Sequence, residues 1–338
     1  MRILLGLSGG VDSATAALLL RDAGYEVEGA FMIMHSDREL DGARQTAEWL
    51  GIPFHVIDCR DSFESAVKAN FVSEYLAGRT PNPCIVCNEL VKMPCLLKYA
   101  RSVGIERIAT GHYASVTRLS GGAHTVSRAL DKSKDQSYML YRVTEDVLAN
   151  LVLPLGGLTK AQVREIAVQR GVPSAKKSDS MEICFVESGN YTDYLEQRLG
   201  AFKEGDFLDT GGRIIGKHRG YMCYTVGQRK GLGVSLGARA FVTAIDVESN
   251  TVTLGLEQPR TSTVSLTSPI FKCGAEAQSL RGEAMLRYGA RTVGATVELD
   301  ANGDVTLALD SEAPFATPGQ SAVVYDSEGR VLLGGFIR

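Results

Sequence analysis

Several common signatures are missing from this chain, and each absence removes a class of function. Lysine and arginine number 36 against 39 aspartate and glutamate, a net charge of −3, so no global positive charge draws the protein to nucleic acid and any such surface must be local. No apolar run approaches the roughly 20 residues of a membrane span. Met1 leads straight into Ile3-Leu4-Leu5, which leaves no room for a signal peptide, so the expectation is a cytoplasmic protein with no membrane partner. Seven cysteines, an odd number in such a chain, argue against a disulfide framework and for thiol chemistry or metal. No second C-x-x-C completes a four-ligand zinc site. Neither G-x-x-x-x-G-K-[ST] nor G-x-G-x-x-G follows the first strand, so transfer of a terminal phosphate and dinucleotide binding both lose weight.

What is present begins with a loop. Between the apolar strand Ile3-Leu4-Leu5 and an Ala/Leu-rich helix from Ala14 to about Arg21 lies Gly6-Leu7-Ser8-Gly9-Gly10-Val11-Asp12-Ser13. A glycine-rich turn there bares backbone N–H groups at the positive end of a helix, a ready place for phosphate. Ser8 and Ser13 add hydroxyl donors, and Asp12 is a candidate to hold magnesium. The S-G-G-x-D-S form resembles the pyrophosphatase loop of enzymes that cleave ATP to AMP and pyrophosphate while adenylating a substrate.

Strands and helices then alternate. Strands are expected at Glu26 to Ile33, Pro53 to Cys59 and Arg107 to Thr110. Helices are expected at Asp41 to Leu50, Ser62 to Ala77, around Pro94 to Val103, Lys160 to Arg170 and Tyr191 to Leu199. That order predicts an α/β fold, a doubly wound parallel sheet with its chemistry at the carboxyl ends of the strands, where the first loop and Gly111-His112 fall. Phe63, Val67, Phe71 and Tyr75 recur at four-residue spacing and read as core. Beyond Gly200, short strands and turns replace the helices. With 338 residues exceeding one core, the division expected is a catalytic domain 1–199, a small β-rich domain 200–260 and a C-terminal β-barrel 261–338.

The segment Gly78 to Asn88 reads as a proline-stiffened loop carrying the pair Cys84 and Cys87. Cys184 follows a basic stretch with Lys176 and Lys177, a setting that lowers a thiol's pKa. Cys59, Cys95, Cys223 and Cys273 read as packing residues. Arg213, Lys217, Arg219, Arg229 and Lys230 form a run with no acidic residue between its ends, a candidate patch for a phosphate backbone.

S-G-G-V-D-S, G-R-T-P-N-P-C-x-x-C-N, T-G-H-Y, K-D-Q-S-Y, I-C-F, G-Q-R-K-G-L-G and T-P-G-Q-S-A follow one another in the order found in bacterial tRNA-specific 2-thiouridylases, and the chain resembles that family from Met1 nearly to Arg338. The resemblance implies an adenine-nucleotide alpha-hydrolase type of fold and an ATP- and magnesium-dependent sulfurtransferase acting on the wobble uridine in the anticodon arm of tRNA. It further implies that Cys184 accepts a persulfide from a sulfur donor, a cysteine desulfurase or relay protein, and attacks the adenylated base. Cys87 then releases the sulfur, ending in a transient disulfide with Cys184. By the same likeness ATP lies on residues 6–13 with Met32 and Gly111 at the adenosine. Asn82, Pro83 and Cys84 meet the target base, and His112, Lys134, Asp135, Gln136, Arg287, Tyr288 and Gln320 meet the tRNA. The working form is expected to be a monomer.

The chain departs from the family pattern at Ile33 to Asp37, at Met93-Pro94 after Lys92, and at Met181-Glu182 before Ile183-Cys184. Three alternatives stay open. Cys84, Cys87 and Cys184 suffice in number to hold an iron–sulfur cluster; the loop could adenylate a small metabolite; or the chain could bind tRNA or relay sulfur without turnover.

Overall fold

Ile3, Leu4 and Leu5 are fully buried because β1 (Arg2–Gly6) is the middle strand of a sheet covered on both faces. The computed structural model describes residues 1–175, 177, 183–186, 189–234, 238–272, 280–300 and 303–338. Lys176, Asp179 to Glu182, Cys273 and the turn residues Ala301 and Asn302 lie outside the described residues. After β1 come β2 (Glu26–Ile33), β3 (Phe54–Asp58) and β4 (Arg107–Ala109), then a hairpin of β5 (Ser115–Arg118) and β6 (His124–Ser127), then β7 (Leu151–Val152). Five of these form a parallel sheet in the order β3-β2-β1-β4-β7. The direction of winding reverses between β1 and β4, and a crevice opens at the carboxyl ends of such a pair.

Alternation along β1 divides the core. Ile3 and Leu5 pack with α1 (Val11–Asp22), α2 (Leu40–Leu50) and α5 (Lys160–Gln169). Leu4 packs on the other face with α3 and α4. α3 runs from Arg60–Phe63 through a π turn, Glu64–Lys68, into Ala69–Leu76. Its Phe63, Val67, Phe71 and Tyr75 are buried in that core. α4 runs from Pro83–Cys87 through a second π turn, Asn88–Lys92, into Met93–Ser102.

α4 corrects the expected loop: Cys84 and Cys87 stand on the first turn of a helix. Asn82 caps it, its Oδ1 accepting from the Cys84 N–H at 3.2 Å, and Pro83 takes the first helical position, where a missing N–H is harmless. The π turn precedes Pro94, which cannot donate the helical hydrogen bond, and lets the helix continue. Met93, one of the departures, lies on α4 itself and is wholly buried.

α6 (Tyr191–Leu199) leads to a four-stranded sheet of β8 (Gly205–Asp209), β9 (Ile214–His218), β10 (Phe241–Asp246) and β11 (Thr251–Gly255), in the order β10-β11-β8-β9. The chain ends in a closed barrel built from β12 (Arg260–Phe271), β13 (Arg281–Met285), β14 (Val293–Leu299), β15 (Val305–Pro314), β16 (Ser321–Tyr325) and β17 (Val331–Ile337).

The barrel is continuous with the core of the parallel-sheet part: Met285, Val323, Tyr325 and Val331 share a cluster with Cys87, Tyr138 and Tyr141. Tyr138 Oη donates to the Ser321 carbonyl at 2.8 Å, and Ser137 Oγ lies 3.1 Å from Tyr325 Oη. All three parts meet on Gly78 to Thr80, just before α4. The Thr80 N–H donates to Pro318, its carbonyl accepts from Gln320 Nε2 at 2.7 Å, and its hydroxyl lies 3.0 Å from that of Thr225 in the central part. Tyr221 Oη, also central, donates to the Leu76 carbonyl at 2.7 Å.

Candidate active site

The loop Gly6 to Ser13 is held by its own serines. Ser8 N–H donates to Ser13 Oγ at 3.2 Å, and Ser13 Oγ donates to the Gly10 carbonyl at 3.2 Å. Gly9 has φ 71°, and a Cβ there would stand 2.8 Å from the Ala43 nitrogen, so α2 presses directly on the loop. Gly10 is the N-cap of α1 and no side chain caps that helix, whose first N–H groups therefore face the loop's concavity. Gly111, after β4, lies against the same helix start: a Cβ on it would stand 3.1 Å from the Asp12 carbonyl carbon and the Ser13 nitrogen. Met32 Cε is 3.5 Å from where a Cβ on Gly6 would lie. Residues 6–13, Met32 and Gly111 are thus brought together.

Asp12, the candidate to hold magnesium, is engaged by neighbouring side chains in this structure. Tyr113 Oη donates to its Oδ1 at 2.7 Å, and Lys160 Nζ donates to both carboxylate oxygens at 2.8 Å. Among the described residues no group of three or more His, Cys, Asp or Glu is placed to hold a metal ion. Lys160 and Tyr113 were not legible as site residues: Lys160 comes 148 positions after Asp12 and reads only as the start of a capped helix.

The three thiols form one neighbourhood. Cys84 and Cys184 are exposed and Cys87 is buried. Burial is the main influence on each and raises all three, with Cys184 pushed up to about 11 and further opposed by Cys87 and Cys84. This corrects the expectation of an acidic Cys184: Lys177 is instead 3.3 Å from Glu39. The cation that does act on Cys84, Cys87 and Cys184 is Lys92, at the end of the π turn. Lys92 also faces His112, whose imidazole is driven down to about 3, first by burial and then by that charge, and so stays neutral. His112 Nδ1 is 2.7 Å from Thr110 Oγ1. Gly111 thus touches the start of α1, and His112 beside it shares the charge of Lys92 with the thiols. Cys59 is buried in the core and Cys95 packs against it, as their reading as packing residues has it.

The residues expected at tRNA divide into two groups. Tyr288, from the barrel, interacts electrostatically with Asp135, Lys134 and Cys84 and sets its ring 5.9 Å from that of Tyr138, while neighbouring Arg287 is exposed. Others are engaged within the protein. Asp135 is buried and accepts from the N–H groups of Ala129 and Ser137 at 3.0 and 3.1 Å. Gln136 Oε1 accepts from the Tyr113 N–H at 2.9 Å, and Gln320 holds Thr80. The basic run is largely neutralised by acids from other segments, Arg213 by Asp209, Lys217 by Asp206 and Arg219 by Glu196, while Arg229 and Lys230 stand exposed.

Three family models match in succession: a tRNA methyl transferase HUP domain over residues 1–188, a tRNA methyl transferase PRC-barrel domain over 192–256, and an aminomethyltransferase beta-barrel domain over 261–337. The chain is 41% identical over 356 residues to the tRNA-specific 2-thiouridylase MnmA of Acetivibrio thermocellus, covering 99% of this chain and 98% of that protein. It is 42% identical over 350 residues to that of Moorella thermoacetica, covering 98% of each. Among solved structures, an NMN synthetase from Francisella tularensis aligns at 21% identity and a TM-score of 0.35, over 53% of this chain and 66% of that one. An NH3-dependent NAD synthetase from Campylobacter jejuni aligns at 20% identity and a TM-score of 0.34, over 53% and 69%.

Proposed function

This chain belongs to the family of tRNA-specific 2-thiouridylases, a group of tRNA-uridine sulfurtransferases, and we propose that it exchanges the carbon-2 oxygen of the wobble uridine for sulfur in two steps. In the first, ATP lies on Gly6 to Ser13 with its adenosine by Met32 and Gly111. The uridine oxygen attacks the α-phosphorus, the bond to the bridging oxygen breaks and pyrophosphate leaves, so that a poor leaving group becomes AMP. In the second, the terminal sulfur of a persulfide on Cys184 attacks carbon 2 and AMP departs. The Cys87 thiolate then attacks Cys184 Sγ, leaving the sulfur on the base and a disulfide between the two cysteines.

The observation that supports this reading is the turn Gly111-His112, whose glycine lies against the phosphate loop's helix while its histidine shares Lys92 with Cys84, Cys87 and Cys184. A ligase acting on a small metabolite has no use for that juxtaposition. The raised pKa of Cys184 keeps the resting thiol protonated and unreactive, and the attacking atom is the persulfide sulfur, which the donor supplies. A base under chemical attack must leave its stack, and Asn82, Pro83 and Cys84 at the rigid start of α4 form the receptor, with Tyr288, Lys134 and exposed Arg287 flanking it for the anticodon arm. Residues 1–199 perform the chemistry as a cytoplasmic monomer, while 200–260 and 261–338 hold the tRNA.

Magnesium enters as the counter-ion of the ATP phosphates. The persulfide route and the iron–sulfur route differ in whether iron is required. The test is to incubate iron-free protein with unmodified tRNA, ATP, magnesium and a cysteine desulfurase, digest the RNA and look for 2-thiouridine by mass spectrometry. Product is expected from the wild type, none from Cys184→Ser or Cys87→Ser, and pyrophosphate release in all three. Product only after cluster reconstitution would overturn the persulfide step.

A further inference from the structure

The loop Gly6 to Ser13 contains no lysine, so a polyphosphate arriving there meets backbone N–H groups and hydroxyls alone. Yet a lysine is at hand. Lys160 is 8% exposed and stands at the first turn of α5, whose capping box, Thr159 with Gln162, fixes where that helix begins. Its backbone N–H donates to Asp131 Oδ2 at 2.9 Å, its Nζ lies 5.7 Å from the Tyr113 ring centroid, and both Asp12 oxygens accept from that Nζ at 2.8 Å. Asp12 is in the first turn of α1 and Lys160 in that of α5, so the ion pair brings the positive ends of two packed helices together. Asp131 meets the α5 end through the Lys160 backbone N–H, and Asp12 meets the ammonium from within the loop itself, where a phosphate oxygen can take the carboxylate's place.

We infer that Lys160 grips the β- and γ-phosphates of ATP, resting on Asp12 until nucleotide enters and then exchanging that carboxylate for phosphate oxygens. No bond is made or broken in the exchange. When the uridine oxygen takes the α-phosphorus, the charge that develops on the departing pyrophosphate falls on the group Lys160 already holds. The inference rests on the reading of Gly6 to Ser13 as the ATP loop.

The test is equilibrium binding of ATP and of AMP to the full chain, in EDTA so that no metal intervenes. Lys160→Met, which keeps the aliphatic stem, is expected to weaken ATP about 10- to 100-fold, the range of a charged hydrogen bond, and to leave AMP unchanged. Lys160→Arg restores most of the ATP affinity. Asp12→Asn, which removes the competing partner, tightens ATP. Parallel weakening of ATP and AMP in Lys160→Met, or ATP binding that Asp12→Asn leaves unchanged or weaker, overturns the proposal and makes the ion pair structural. A wild type that binds neither nucleotide overturns the ATP loop itself, whereas a wild type that prefers ATP with a Lys160→Met variant that matches it sinks the inference alone.

Discussion

Cys184 keeps its proton because its sulfur is more covered by protein than helped by charge, and this has a direct kinetic signature. With the pKa pushed up to about 11, alkylation by iodoacetamide, which consumes only thiolate, should rise about tenfold per pH unit from 7 to 10 without a plateau. Peptide mass spectrometry of Cys184 measures it, and a plateau near pH 8 would mean an acidic thiol instead. Lys92→Met removes the cation that partly offsets burial, so the same alkylation should become slower at every pH in that range. At this scale the sequence was only half legible. Proximity in sequence pointed to Lys176 and Lys177, but Lys177 is tied to Glu39, and the effective cation lies far back in the chain on α4. The phosphate loop was readable because its chemistry is in its own backbone; Lys160 and Tyr113 were not, because only the folded sheet brings them to Asp12.

Elements follow the sequence closely wherever local signals agree. α5 begins at its capping box and α2 ends at Gly51 with φ 64°, both as residue patterns require. The first turn of α4 escaped because Pro81 and Pro83 read as a stiff loop, although Pro83 sits at the first helical position; its continuation around Pro94 to Val103 was legible as helix. The elements also fix how finely the site is spaced. Gly111→Ala drives a methyl group against the backbone of Asp12 and Ser13 at 3.1 Å, an overpacking of about 1–3 kcal/mol that falls on the start of α1. ATP affinity should drop while the barrel and its packing persist, as nucleotide titration and thermal unfolding together will report. Thr159→Ala removes the cap that starts α5 and should lower stability by about 1 kcal/mol, read as a lower unfolding temperature.

The whole molecule is three bodies around one short segment. The alternation of strands and helices made the parallel sheet legible, and frequent turns made the β-rich C-terminal half legible. How the parts dock was not, since Thr80, Thr225 and Gln320 carry no shared pattern. Gly319, with φ 85°, would place a Cβ 2.9 Å from Arg79 Cβ and the Thr80 nitrogen. Gly319→Val should therefore lower the unfolding temperature and thiolation together while leaving the phosphate loop untouched, as calorimetry and 2-thiouridine yield will show. On the outer surface, Arg229→Ala with Lys230→Ala should reduce the salt slope of tRNA binding by about 2, one for each lost phosphate contact, in filter binding across ionic strength. The Thr80 junction also has a meaning for how the protein is made. Synthesis runs from the amino end, and the cysteines leave the ribosome long before Pro318 and Gln320 do. A growing chain thus lacks the bonds of Thr80 to Pro318 and Gln320, and this junction beside the cysteines closes only when the barrel's last strand has been made.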